Sequence, residues 1–118
     1  MKKVTLHNKA YGASFQGFFK EKQLRIGRRE NNDLIILYPD ISRVHCEIYE
    51  VEDGYQIKDL ESTLGTSVNK QKLADKISNI KPGDILGLGS HQFDFTITEV
   101  SLFSYQALKQ FLKRFSKR

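Results

Sequence analysis

The chain has 118 residues, which is enough for one domain and too few for two. Hydrophobic residues make up 39% and charged residues 28% of it, so the composition argues against a disordered, collagen-like or membrane-spanning chain. The formal net charge of +5 comes from the tail, because five basic residues and no acidic one follow position 100. Residues 1–100 are therefore neutral overall, and we expect no nucleic-acid footprint across the whole domain.

The first residues and the cysteine content favour a cytoplasmic protein that is stabilised by packing alone. Two lysines follow Met1 without an apolar run behind them, so no secretory signal is predicted. The only cysteine, Cys46, forms neither an internal disulfide nor a zinc site. We predict that it is an inert residue of the core.

Short apolar or alternating runs, separated by Gly, Pro, Asn and Asp, predict an all-β sandwich or barrel. In chain order the predicted strands lie at Val4 and Leu6, Phe15 to Phe19, Leu24 with Ile26, 33–37, 44–51, 55–60 and 91–97. Hairpin breakers fall at 30–32, 52–54, 81–84 and 87–90. Val44, Cys46 and Ile48 share a predicted core face, and the run at 33–37 is predicted to be buried more deeply.

The pattern changes after Val100, where an apolar stripe at helical spacing lies opposite basic residues. The stripe consists of Tyr105, Leu108, Phe111, Leu112 and Phe115. We therefore divide the chain into a sandwich at 1–100 and a basic amphipathic helix at 101–118. The stripe either caps the sandwich, docks on another protein, lies on an anionic membrane surface or leads into further sequence.

Arg28 and Ser42 each stand where a predicted strand meets a loop, and Thr63 lies on a neighbouring loop. Gly27 and Gly65 allow a turn or a close approach of the backbone beside Arg28 and Thr63. An arginine fork together with the hydroxyls of Ser42 and Thr63 would suit a tetrahedral anion, and a phosphorylated side chain offers such a group with three acceptor oxygens. The residue types favour an anion site if the loops converge.

The order of these motifs, Gly27-Arg28, then Ser42 to His45, then Ser62 to Thr66, resembles that of the forkhead-associated (FHA) family. The resemblance covers most of residues 22–97. It implies an eleven-stranded antiparallel β-sandwich of the SMAD/FHA-like type, which binds phosphothreonine peptides through the loops that carry the motifs.

The resemblance also implies roles for individual residues. Arg28 would pair with the phosphate, Ser42 would reach it through its hydroxyl and backbone, and Thr63 would be a further neighbour. Arg43 would lie along the peptide. Leu64 stands where the family usually has an asparagine that bonds the peptide backbone, and loss of that bond removes about 0.5–1.5 kcal/mol, or two- to tenfold in affinity. Leu64 would instead make an apolar contact.

Four further residues are predicted to support the site structurally. The resemblance makes His45 a brace between loops, and Gly27, Gly65 and Asn69 are structural as well. No catalytic residue, metal or cofactor is predicted, because no nucleophile elbow accompanies the available Ser, His and Asp residues, and the glycines do not form a phosphate cradle before a helix.

The predicted function is a phosphothreonine-dependent adaptor or signalling module, which is not an enzyme and whose partner is phosphorylated by a separate serine/threonine kinase. Leu64 motivates an alternative, a scaffold that keeps the fold but binds a partner or itself without phosphate. A second alternative is a nucleic-acid or membrane binder that works through the basic tail.

Overall fold

Two β-sheets stacked as a sandwich form the body of the protein. The structure, a computed structural model, describes residues 1–116. The six-stranded sheet has the order β2 (Ala13–Phe18), β1 (Lys2–Asn8), β11 (His91–Glu99), β10 (Ile85–Leu88), β7 (Thr66–Val68) and β8 (Gln71–Lys72). The five-stranded sheet has the order β4 (Leu34–Ile35), β3 (Gln23–Gly27), β5 (Cys46–Val51), β6 (Gly54–Asp59) and β9 (Ile77–Ile80).

The predicted eleven-stranded sandwich with a C-terminal helix is confirmed. A 3₁₀ turn at Ala74–Lys76 precedes β9, and the helix, α1, spans Leu102–Ser116. The named strands pair antiparallel except for β3 and β4, which run parallel. Among the described residues no helix is long and apolar enough to cross a membrane.

The core lies between the two sheets, where alternate side chains of the strands meet. Val4 and Leu6 of β1, and Phe93 and Phe95 of β11, are fully buried from one sheet. Ile26, Ile48 and Ile57 are among those that face them from the other sheet. Each such side chain contributes roughly 1.5–3 kcal/mol of transfer free energy. Cys46 is fully buried, and burial raises the pKa of its thiol, so it is core as predicted.

The strand registers bring five connections to one end of the sandwich, which we call the loop pole. These are the β1–β2, β3–β4, β4–β5, β6–β7 and β10–β11 connections. The chain leaves β11 at the opposite end, where the backbone N–H of Val100 donates to the carbonyl of Met1. Helix α1 therefore starts at the end of the sandwich away from the loop pole.

Three local predictions are wrong. The run at 33–37 forms a strand only at Leu34–Ile35, and Leu37 is 74% exposed because β4 is an edge strand. Strand β5 begins at Cys46 rather than at position 44. The residues just before Cys46 form a loop whose backbone is hydrogen-bonded to the end of β3 and to the residues that follow it. Gly87 lies inside β10, and the turn that follows is made by Gly89 and Ser90.

The described side chains of α1 are exposed. Phe103 is 83% exposed, and Leu108, Phe111 and Leu112 are each 56% exposed. Leu108, Phe111 and Leu112 of the predicted stripe are thus more than half exposed, while the side chains of Tyr105 and Phe115 fall outside the part that the structure describes. Lys117 and Arg118 of the predicted basic helix do so as well. The division at position 100 stays a prediction.

Candidate functional site

Arg28 follows β3 directly and is fixed against the β4–β5 loop. Its N–H donates to the carbonyl of Ser42 at 3.1 Å, and its side-chain Nε donates to the carbonyl of Ile41 at 2.7 Å. Gly27 makes this approach possible, since a Cβ there would lie 2.2 Å from the carbonyl oxygen of Arg43. The guanidinium is therefore held at the carbonyl of Ile41, the residue before Ser42, and its orientation is set by the backbone.

Asn32, a residue that sequence reasoning treated only as a breaker, ties the same two loops together. Its side-chain Nδ2 donates to the carbonyl of Arg29 at 2.8 Å and to that of Arg43 at 2.7 Å. Asn32 is buried, and its side-chain amide adds a second hydrogen bond to carbonyls that already accept from the backbone N–H groups of Asn32 and Arg29. The sequence signal for this residue was an asparagine a few positions after Gly27-Arg28. The sequence did not show that its hydrogen-bond partner lies in the next loop.

Ser42 connects the β4–β5 loop to the β6–β7 loop. Its Oγ accepts a hydrogen bond from the N–H of Thr63 at 2.9 Å and lies 3.5 Å from the Thr63 Oγ1. Hydrogen bonds thus connect Arg28 to Ser42 and Ser42 to Thr63, so the three loops that carry these residues are joined. The structure brings the three predicted phosphate-contacting residues to one place on the surface, where Thr63 is exposed.

His45 is buried beneath this surface and joins two of its loops. Its Nδ1 accepts from the N–H of Ser42 at 3.1 Å, so the proton of the neutral ring is on Nε2, which donates to the carbonyl of Gly65 at 2.9 Å. Burial lowers the pKa of His45 and outweighs the opposing effects of the Gly65 carbonyl and the Asp59 and Asp40 carboxylates. A neutral imidazole is the form that fits both bonds.

The β6–β7 loop is folded around Asp59. The carboxylate accepts from the hydroxyls of Ser62 at 2.5 Å and Thr66 at 2.7 Å, and Ser62 Oγ in turn accepts from the N–H of Gly65. Burial alone would raise the pKa of Asp59, but these hydrogen bonds overcome it and lower the pKa. Gly65 has φ +92°, which glycine adopts without strain. The loop that carries Thr63 is therefore internally braced.

Asp40, which was not predicted as a site residue, holds the β10–β11 turn against the β4–β5 loop. One carboxylate oxygen accepts from the N–H and hydroxyl of Ser90, at 3.0 and 2.6 Å, and the other lies 2.7 Å from Nε2 of His91. Burial opposes ionisation, but these bonds lower the pKa of Asp40 to about 2. The N–H of Gly89 also donates to the carbonyl of Gly65, which links this turn to the β6–β7 loop.

The remaining predicted residues divide between the site and the far end of the sandwich. Arg43 and Leu64 are exposed at the loop pole, and Leu64 is 51% exposed. Asn69 lies at the other end of β7, where its side chain donates to Asp84 and accepts from the N–H of Ile85. It supports the β7–β8 turn and is not brought to the loops.

The chemistry of the site is that of an anion receptor. Arg28 and Arg43 supply positive charge, while the nearby carboxylates of Asp40 and Asp59 already accept hydrogen bonds from within the protein. Among the described residues no group of three or more His, Cys, Asp and Glu side chains is placed to hold a metal. The geometry offers hydrogen-bond donors for an anion rather than ligands for a cation.

Curated proteins of known function include relatives of part of this chain. The transcriptional regulatory proteins EmbR of Mycobacterium tuberculosis and Mycobacterium bovis are each 29% identical to it over 93 residues, or 79% of this chain. The matched segment is only 23% of the length of those relatives.

Solved structures show the same fold. The structure of M. tuberculosis EmbR in complex with a low-affinity phosphopeptide has a TM-score of 0.68 at 27% identity, covering 84% of this chain and 25% of that one. The MEK1 FHA domain in complex with a HOP1 phosphothreonine peptide has a TM-score of 0.62 at 28% identity, covering 81% and 97% of the two chains. The family model of the FHA domain matches residues 24–89, which is more than half of the chain. The chain belongs to the FHA domain family.

Proposed function

We propose that this chain binds a phosphothreonine-bearing protein segment at its loop pole and acts as an adaptor or signalling module without catalysis. The observation that carries the proposal is the linkage of three loops at one place. Arg28 is oriented by the carbonyl of Ile41, it adjoins Ser42, and the Ser42 hydroxyl lies beside Thr63. A guanidinium and two hydroxyls match the charge and the acceptor oxygens of a phosphate monoester.

The relatives support the ligand class. Two of the structures with this fold are complexes with phosphopeptides, and one of those peptides carries phosphothreonine. The proposal covers the binding module alone, because the chain spans 23% of the length of the curated relatives. The phosphate would come from a separate serine/threonine kinase, and the cytoplasm is the compartment that the sequence predicts.

The alternative is a scaffold that binds without phosphate, and Leu64 favours it. This exposed leucine has no donor or acceptor for a peptide backbone. The described apolar side chains of α1 are also exposed and offer a second contact surface at the other end of the sandwich. In that case the arginine and hydroxyl cluster would not be the contact that decides affinity.

One comparison separates the two functions. An oriented library of phosphothreonine peptides is screened against the protein, and the best sequence is titrated as phosphothreonine, phosphoserine and unmodified forms. We expect measurable binding of the phosphothreonine form and none of the unmodified form at the same concentration. Equal binding of all three forms supports the scaffold. Removal of residues 101–118 tests the basic tail, since binding to vesicles or nucleic acid should disappear with it if the tail is the binding element.

A further inference from the structure

A small groove on the outer face of the six-stranded sheet adjoins the proposed phosphothreonine site. It has a volume of about 180 Å³. It is lined by Leu64, Gly65, Thr66, Ser67, Lys70, Lys72, Gly89 and Gln92. We call it the Lys72 groove. One of its lining residues, Leu64, directly follows Thr63 in the chain.

The strand register creates the groove. Lys72 of β8 is opposite Ser67 of β7, Ser67 is opposite Gly87 of β10, and Gly87 is opposite Gln92 of β11. A Cβ at Gly87 would lie 2.1 Å from Ser67 Oγ and 3.0 Å from Gln92 Nε2. The side chains of Ser67 and Gln92 therefore converge over the glycine, and both line the groove.

The charge of the groove is positive. Lys70 and Lys72 are the charged residues that line it, and within residues 1–116 neither forms a salt bridge to a carboxylate. Lys72 reaches toward the loop pole, because its Cε and Nζ lie 3.8 and 3.9 Å from the position of a Cβ on Gly65. The ammonium group is thus beside the loop that carries Thr63 and Leu64.

Leu64 gives the groove an apolar entrance. Its side chain is half exposed and lines the groove together with Lys70 and Lys72. A ligand side chain with a short apolar stem and a negative end would place methylene groups on Leu64 and its carboxylate near Lys72. Glutamate and aspartate have this chemistry.

We propose that the Lys72 groove binds an acidic side chain of the same segment that presents its phosphothreonine to Arg28, and that it makes the chain selective for acidic phosphothreonine sequences. The inference rests on the proposed function. Its effect is modest, because an exposed ion pair changes affinity by about two- to fivefold. It also weakens at high salt, where exposed charges are screened.

The test uses a phosphothreonine peptide of Ala, Gly and Ser in which a single Glu is moved through each position on both sides of the phosphothreonine. Dissociation constants are measured for the wild type, for Lys72→Ala and for the charge reversal Lys72→Glu. Lys81→Ala, which removes an exposed lysine at the other end of the sandwich, is the matched control. Urea unfolding of each variant checks that it is folded.

We expect the wild type and Lys81→Ala to prefer Glu over Ala at one position by about two- to fivefold. Lys72→Ala should lose that preference while it binds the peptide without Glu as the wild type does, and Lys72→Glu should disfavour Glu. If phosphothreonine peptides bind but Glu and Ala are equivalent at every position, or if the preference persists in Lys72→Glu, the inference is wrong and the proposed function stands. If no phosphothreonine peptide binds, both are wrong.

Discussion

The hydroxyl of Ser42 accepts a hydrogen bond from the backbone N–H of Thr63, a residue 21 positions later in the chain, at 2.9 Å. This bond joins the β4–β5 and β6–β7 loops at the surface where the phosphate is proposed to bind. The same hydroxyl is proposed to meet the phosphate. Ser42 therefore joins two loops of the site, and its contact with the phosphate is part of the proposal.

Substitution Ser42→Ala should weaken phosphothreonine binding more than Thr63→Ala does. The serine variant loses a donor to a charged ligand and leaves the N–H of Thr63 without its partner, whereas the threonine variant loses one exposed hydroxyl. We expect about 1.5–3 kcal/mol for Ser42→Ala, or roughly 10- to 150-fold in affinity. Calorimetric titration with one phosphothreonine peptide measures both variants. A larger loss for Thr63→Ala would contradict the assigned roles.

Substitution Arg28→Ala should cost about 2–3 kcal/mol of binding free energy, or 30- to 150-fold, because the bond is charge-assisted and its phosphate partner would stay unpaired. Arg29→Ala is the matched control, since this exposed arginine is the next residue of the same loop. Its removal should change affinity only slightly. Peptide titration of both variants makes the comparison, and equal binding by wild type and Arg28→Ala would remove Arg28 from the site.

Substitution Leu64→Asn should strengthen binding. An asparagine at this exposed position gains a donor and an acceptor for the peptide backbone, which is worth about 0.5–1.5 kcal/mol, or two- to tenfold. Leu64→Ala serves as the control, because it removes the leucine without adding a hydrogen bond. Fluorescence anisotropy with a labelled phosphothreonine peptide is a suitable assay. Unchanged or weaker binding by Leu64→Asn would show that the peptide backbone does not pass this residue.

The free energy of unfolding should fall as the pH is lowered below about 6.5. Burial lowers the pKa of His45 in the folded state, so the unfolded chain takes up a proton first and acid favours unfolding. The loss begins near the unfolded pKa and continues down to the folded one. Urea unfolding across pH 8 to 5 measures it.

In His45→Gln this part of the pH dependence should be absent. His7→Gln, at a partly buried histidine of β1 whose ring nitrogen lies 2.7 Å from the Ser14 hydroxyl, is the control for removal of a histidine elsewhere in the sandwich. Identical slopes in His45→Gln and wild type would assign the pH dependence to another group.

Part of the candidate site could be predicted from the sequence, because Arg28 and Ser42 stand where predicted strands meet loops and because Gly27 and Gly65 lie near Arg28 and Thr63. The loops that carry Arg28, Ser42 and Thr63 are hydrogen-bonded to one another, and His45 joins two of them, while the roles of these residues in phosphate binding stay predictions. Local signals failed elsewhere. Glu47 alternates with core residues of β5 and therefore lies on the outer face of the sheet, where the pattern predicts an exposed side chain. It is nevertheless buried, because the Tyr49 hydroxyl donates to its carboxylate and Arg25 lies beside it.

By itself the sequence determined the strand periodicity, the all-β class and the residue types that can bind an anion, since these depend on neighbours within a few positions. The number of eleven strands was implied by the resemblance to the FHA family. Only the tertiary structure decided which distant groups meet. Asp40 is hydrogen-bonded to His91, and the Asn32 side chain connects two loops. Lys72 lies beside Gly65 because of the register between β7 and β8. Hydrogen-bond partners across separate strands are set by sheet pairing, which no local pattern specifies.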